Sequence, residues 1–173
     1  MLTGCAPLIN DISTDRAAPP RYLVAPPERP AYDAEALRGP TGRAYGDLAN
    51  LVTPQPPATV FAAVEALVAG RGWAVAARAE GAVGRDARPW RLQAVATTAL
   101  LRFKDDVVVE VRPRDDGGST VAMRSKSRLG KGDLGANARR IRAFLADLRA
   151  RLEGRGAPPR RHSAPVTHTG SMP

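Results

Sequence analysis

Large apolar side chains are concentrated in one stretch of this chain, from about Pro57 to Leu152, and only there can a core be built. Burying a Val, Leu, Ile or Phe side chain stabilises a fold by about 1.5–3 kcal/mol, whereas alanine and proline add little apolar area. The 43% hydrophobic content is therefore misleading, because much of it is alanine and aromatic residues make up only 5%. Ala17 to Pro57 is dense in proline (Pro19-Pro20, Pro26-Pro27, Pro30, Pro40, Pro54, Pro56-Pro57) and has no sustained apolar period. It reads as an extended linker with polyproline character, broken by one helical turn near Tyr32 to Leu37. The alternative for this segment is a docking stretch built around Tyr22, Tyr32 and Tyr45. Gly154 to Pro173 is rich in Pro, Gly, Ser and Thr and is expected to be disordered. The 173 residues thus divide into a tether over 1–56, one domain over 57–153 and a tail over 154–173.

Within the central stretch the apolar period changes from helical to alternating and back. Val60, Val64, Leu67 and Val68 recur at helical spacing, and Gly70 with Gly72 supplies the stop, which predicts a helix over Ala58 to Ala69. Trp73 to Ala79, Leu92 to Thr98, Lys104 to Pro113 and Ser119 to Ser127 are β-prone runs separated by Gly, Pro and Asp clusters. Asp133 then reads as an N-cap, and Ala138, Ile141, Leu145, Leu148 and Leu152 form one apolar stripe on a helix from Leu134 to Leu152. The order is α-β-β-β-β-α. Short connections make the sheet antiparallel, so the expected fold is a single small α+β domain with two helices packed on one face. If Asp115-Asp116-Gly117 makes the last turn, Val111 pairs with Val121 and Asp106 lies across from Lys126, with Glu110 diagonal to Arg124. The outer face is then a solvated ladder of ion pairs.

Charge is uneven along the chain. Residues 1–56 carry five arginines against six acids, whereas residues 57–153 carry 18 basic against 11 acidic side chains. The basic surface therefore belongs to the folded domain and favours anionic membranes, nucleic acid or acidic proteins. On the last helix Arg139, Arg140, Arg142, Arg149 and Arg151 lie off the apolar stripe and form a basic face that an anionic membrane would attract. The basic strands lack the interleaved aromatics that stack on bases, which argues against specific nucleic-acid binding. The arginine excess itself reads as the coding bias of a GC-rich bacterium.

The single cysteine, Cys5, rules out an intramolecular disulfide and a thiolate zinc site. Leu2-Thr3-Gly4-Cys5 matches the lipobox of bacterial lipoproteins, and the proline-rich stretch behind it is what a lipoprotein tether looks like. A basic and an apolar segment should precede such a box. Cys5 becomes an acylated first residue if translation starts upstream of Met1; otherwise the match is chance and the chain is cytoplasmic. No run of 18 apolar residues is present, so no membrane span is expected.

Leu92-Gln-Ala-Val-Ala-Thr-Thr98, Arg102-Phe-Lys-Asp-Asp-Val-Val-Val-Glu-Val111, Met123-Arg-Ser-Lys-Ser-Arg-Leu-Gly130 and Gly132-Asp-Leu-Gly-Ala-Asn-Ala-Arg-Arg-Ile141 resemble the bacterial family known as domain of unknown function 1499. The resemblance covers roughly residues 57–150 and is carried by Phe-Lys-Asp-Asp-Val, Arg-Ser-x-Ser-Arg and Asp-Leu-Gly-x-Asn. It implies an envelope setting, brings no activity, and marks Asp105, Asp106, Arg124, Ser125, Ser127, Arg128, Asp133 and Asn137. Strand parity places Asp105, Ser125 and Ser127 on the side of Val107 and Met123, at the inner edge of the sheet. A carboxylate buried there must be hydrogen-bonded. The group is either a structural latch fixing the turn from Arg128 to Asp133 or a ligand site.

Catalytic constellations are absent from this stretch. His162, His168 and Cys5 lie in the tails, which removes Ser-His-Asp, Cys-His and His-based metal sites from the core. Asp105 and Asp106 are strand neighbours on opposite faces and do not form a carboxylate dyad. Gly130-Lys-Gly-Asp-Leu-Gly135 spells G-x-G-x-x-G, but a dinucleotide site needs a further parallel strand, and Asp133 would repel a pyrophosphate. The expectation is a non-enzymatic, envelope-associated binding or structural domain, without cofactor or metal, whose partner is an anionic membrane surface or an envelope protein. The alternative is an enzyme or small-ligand binder with its site around Asp105, Ser127, Arg128 and Asn137.

Overall fold

The computed structural model describes residues 10–24, 45–98, 102–130 and 133–154. Six strands and two helices follow in the order β1 (Asp11–Ser13), β2 (Leu51–Thr53), α1 (Pro57–Gly70), β3 (Ala74–Ala79), β4 (Trp90–Thr97), β5 (Lys104–Pro113), β6 (Ser119–Ser127) and α2 (Ala136–Leu152). All strand pairs are antiparallel, and β6-β5-β4-β3 form a meander. The free edge of β6 is closed by two short strands, β1 against Arg124–Lys126 and β2 against Ser119–Val121. The single α+β domain with both helices on one sheet face is thus present, with two strands more than the sequence reading assigned. Those two lie in the stretch read as tether. They are three residues long, too short for a periodic signal, and exist because β6 offers an edge to pair with.

The core lies between the helices and the inner sheet face. Val60, Val64 and Val68 from α1 meet Ile141, Phe144 and Leu148 from α2 above Leu92, Val107, Val109, Val111, Val121 and Met123, all buried. Phe144 replaces Leu145 as the centre of the α2 stripe: its ring stacks on Trp73 with centroids 5.6 Å apart. The Arg71 guanidinium caps the pair, 4.8 Å from the Phe144 centroid, and reaches Asp147 at 2.6 Å.

Valines alternating through β5 and the Asp115-Asp116-Gly117 turn set the expected register, with Val111 opposite Val121 and Asp106 opposite Lys126. Gly117 takes φ +81°, the left-handed conformation that the turn requires. The outer face, however, is not a solvated ladder. Val108, Asp106, Glu110, Arg124 and Lys126 are all buried, and residues 14–24 run across them. Asp15 bonds Arg112 at 2.6 Å, Pro20 accepts from Arg124, Tyr22 lies under the Arg124 guanidinium at 4.6 Å, and the Gln93 amide bonds the backbone of Leu23 and Val24. The ion pairs differ accordingly. Arg124 grips Asp11 through two bonds of 2.9 and 2.7 Å, Asp106 is held by Arg128 at 2.8 and 2.9 Å, and Glu110 takes Arg91 and Arg112. Burial alone would raise the Asp15 pKa, but bonds from the Ala18 amide and the Arg112 guanidinium outweigh it and hold the carboxyl below its ordinary value of 3.8. That contribution to stability is present above the ordinary value and is lost as pH falls through the lowered one.

Tyr45 is buried with its hydroxyl unpaired. Burial first, and the Asp133 carboxylate second, raise its pKa above 10.0. The protonated phenol is therefore favoured by folding, and this stabilisation is complete below pH 10 and lost as pH rises beyond it. Tyr45→Phe removes an unsatisfied group at nearly constant shape, so it is expected to raise stability by about 1 kcal/mol at neutral pH. It should also flatten the alkaline limb of stability against pH. Urea melts of both proteins at pH 7 and pH 11 check both effects; a loss of stability at pH 7 would contradict them.

Candidate functional site

The inner edge of the sheet, where β5 begins and β6 ends, carries the polar residues singled out in the sequence. Register sets Asp105 directly opposite Ser127, and Ser125 opposite Val107, on the core side. The first turn of α2 descends on this edge. The Asn137 amide oxygen accepts from the Ser125 hydroxyl at 2.6 Å and from Arg140 at 2.6 Å, while its nitrogen donates to the Ser127 hydroxyl at 2.9 Å and to the Asn10 carbonyl at 3.1 Å. The Asn10 carbonyl can only accept, which fixes the orientation of the amide. Arg140 adds a bond to the Ser125 hydroxyl at 2.9 Å and an ion pair with Asp105. Asp105, Ser125 and Asn137 are buried. The cluster therefore joins β5, β6, the residue before β1 and α2, and each side chain in it has a bonding partner.

Arg140 is the member that sequence reasoning missed: it was assigned to the basic face of α2, and it turns into the cluster instead. Its position three residues after Asn137, on the same side of the helix, was the available signal. The rest of that basic face is divided. Arg142 pairs with Asp47 through bonds of 2.6 and 2.7 Å, Arg139 donates to the Leu134 carbonyl, and Arg149 and Arg151 have no ion pair among the described residues.

Asp133 caps α2, but from further out than expected. Leu134 and Gly135 take left-handed φ values of +51° and +78°, so the helix starts at Ala136 and Gly135 is the cap residue. The Asp133 carboxylate spans this turn, accepting from the amides of Gly135 at 2.8 Å and Asn137 at 2.6 Å. It fills the place where a pyrophosphate would sit at a helix N-terminus. Arg128 is separated from the group, because its bonds to Asp106 lie on the outer face; the site imagined around Asp105, Ser127, Arg128 and Asn137 is thus split by the sheet. Arg124 and Asp106 also belong to the outer face. Cys5, Tyr32, His162, His168, Lys131 and Gly132 lie outside the described residues, and Tyr22 and Tyr45 are used within the fold rather than presented for docking.

Beside the polar cluster opens a cleft of about 220 Å³ with Asp105, Ser127 and Asp133 in its floor and Phe103, Leu129 and Leu134 at its rim. These three apolar side chains are exposed by 47%, 69% and 72%. Sequence reasoning passed over them because each is a lone apolar residue between charged residues or glycine, with no periodic partner. Among the described residues no three of His, Cys, Asp and Glu are gathered as metal ligands would be, and no helix is long and apolar enough to cross a membrane.

No curated protein and no solved structure matches the chain. The family described as Protein of unknown function (DUF1499) matches residues 11–148. The match starts at the first residue of β1, well before the position where the sequence resemblance began, and it takes in residues 14–24 across the outer face, α1 and α2 as far as Leu148. Spanning most of the chain, it shows that the protein belongs to the DUF1499 family.

Proposed function

We propose that this chain is a non-catalytic binding domain of the bacterial envelope, and that the cleft between the β5–β6 edge and the start of α2 is its working surface. The observation that carries the proposal is the contrast within the cleft: an exposed apolar rim stands over a floor whose polar groups are committed to one another. General acid–base or nucleophilic work needs a group free to exchange a proton with a substrate. Asp105 is held by Arg140, and Ser125 and Ser127 are both bonded to Asn137. The enzymatic alternative would need Arg128 on the face of Asp105, whereas Asp106 holds it on the other. The latch and the site are on this view one device, in which the bonded floor fixes the rim. The Leu2-Thr3-Gly4-Cys5 lipobox supports the envelope setting.

The test uses 8-anilinonaphthalene-1-sulfonate, an amphiphilic probe that reports apolar clefts. The wild type is expected to bind it saturably, and Leu134→Asp is expected to abolish binding while the melting temperature is unchanged, since Leu134 is exposed. No saturable binding by the wild type would overturn the cleft reading. For the envelope setting, the chain expressed from its natural locus should stay with membranes through a high-salt wash that strips electrostatically bound protein, and Cys5→Ala should be released by that wash; recovery of the unaltered chain in the soluble fraction would overturn it.

A further inference from the structure

We propose that the cleft end of the domain docks on an anionic lipid bilayer, with Phe103, Leu129 and Leu134 entering the interface and Arg102, Lys104 and Arg139 contacting lipid headgroups. The proposal rests on the cleft being the working surface and names its partner. Its basis is the way this end of the molecule sorts side chains by direction. Phe103 precedes β5, Leu129 follows β6 and Leu134 precedes α2, so the exposed apolar side chains larger than valine among the described residues meet at one cleft, whereas the smaller Val24, Val52, Val75 and Val83 are exposed elsewhere. Leu134 points outward from a left-handed backbone at φ +51°, a conformation that disfavours any side chain and that glycine would adopt more easily. An apolar side chain held there against local preference is placed for contact with something.

The charges are sorted in the same way. Arg102, Lys104 and Arg139 are exposed and enter no ion pair among the described residues. The three carboxylates of this end are turned inward: Asp105 to Arg140, Asp106 to Arg128, and Asp133 to the amides of Gly135 and Asn137. The outward surface is thus apolar tips between unpaired cations, with its acids withdrawn. An anionic bilayer interface takes that combination, apolar groups at the acyl boundary and cations at the headgroups. Nucleic acid would leave Leu129 and Leu134 without a role and would find a single aromatic ring to stack on. The α2 basic face is the weaker candidate, since Arg140 is buried in the cluster and Arg142 is paired with Asp47.

Co-sedimentation of the full, unlipidated chain with vesicles tests this, using phosphatidylglycerol–phosphatidylcholine mixtures against phosphatidylcholine alone, at low and high salt. The bound fraction should be at least about tenfold higher on the anionic vesicles and fall with salt, as expected when several exposed basic residues act near a charged surface. Leu129→Asp/Leu134→Asp and Arg102→Gln/Lys104→Gln should each lose most of this binding with melting temperatures unchanged, while Arg142→Gln/Arg149→Gln should keep it. Equal binding to both vesicle types, or binding removed by the Arg142/Arg149 variant and not by the rim variants, would overturn the docking. Probe binding in the cleft without vesicle binding would overturn the docking alone; loss of both would overturn the cleft reading with it.

Discussion

Asp105→Ala is expected to destabilise the domain by about 3–5 kcal/mol, because it leaves a guanidinium in a buried site without its carboxylate. The Arg140 side chain is only 13% exposed and Asp105 is 3% exposed, so water cannot take over the lost partner. The Arg140 guanidinium would still hold Ser125 and Asn137, but both are neutral and offset only part of the cost. Removing the charge as well reverses the argument: in Asp105→Ala/Arg140→Met a chain of similar length fills the space without a charge to solvate, and most of the stability should return. A double-mutant cycle in urea, with Arg140→Met as the other single variant, measures the coupling. A loss below about 1 kcal/mol in Asp105→Ala would mean that the pair is solvated and that the cluster does not close the edge of the sheet. A floor this costly to disturb is suited to fixing a rim, and poorly suited to proton transfer.

The parts of the fold that were legible in the sequence are those whose signal is local. The bounds of β5 and β6 follow from alternating valines around an Asp-Gly turn, and α1 and α2 from apolar residues three and four apart. β1 and β2 carry no such signal, since they are strands only through pairing with β6. The covering of the outer face had one local sign. Val108 falls among Asp106, Glu110 and the other outward residues of β5, and a large apolar side chain on that face argues for something lying over it; it is fully buried. For the site, parity correctly gathered Asp105, Ser125 and Ser127 at the inner edge, because alternation is a property of the strand itself. Which cation joins them depends on how α2 lands on the sheet, and helix periodicity only made Arg140 available. The exposed rim residues are legible in three dimensions alone, as they come from two separate connections, Phe103 from that between β4 and β5 and Leu129 and Leu134 from that between β6 and α2.

The N-terminal segment offers the sharpest division between a tether and a part of the domain. A tether can be removed without consequence to the fold it carries, but residues 11–24 are bonded to three strands of the sheet. Ile12 is buried in the core at 1% exposure, and its loss alone, as Ile12→Ala, would cost about 2–5 kcal/mol. The Asp11 carboxylate accepts two bonds from the Arg124 guanidinium and lies 3.3 Å from Lys126, with all three side chains nearly buried. Asp11→Ala should therefore cost about 3 kcal/mol, as breaking a buried ion pair does. By contrast Asp47→Asn, at a pair whose side chains are 41% and 57% exposed, should cost less than about 1 kcal/mol. Added to the loss of Asp15 from Arg112, these terms reach the whole stability of an ordinary domain, about 5–15 kcal/mol. A chain beginning at Ala25 is accordingly expected to show no cooperative thermal transition by far-ultraviolet circular dichroism, while Asp11→Ala melts cooperatively but earlier and Asp47→Asn melts with the wild type. If the shortened chain melted at the wild-type temperature, the segment would be a tether after all, and the burial of Arg124 and Lys126 would owe nothing to it.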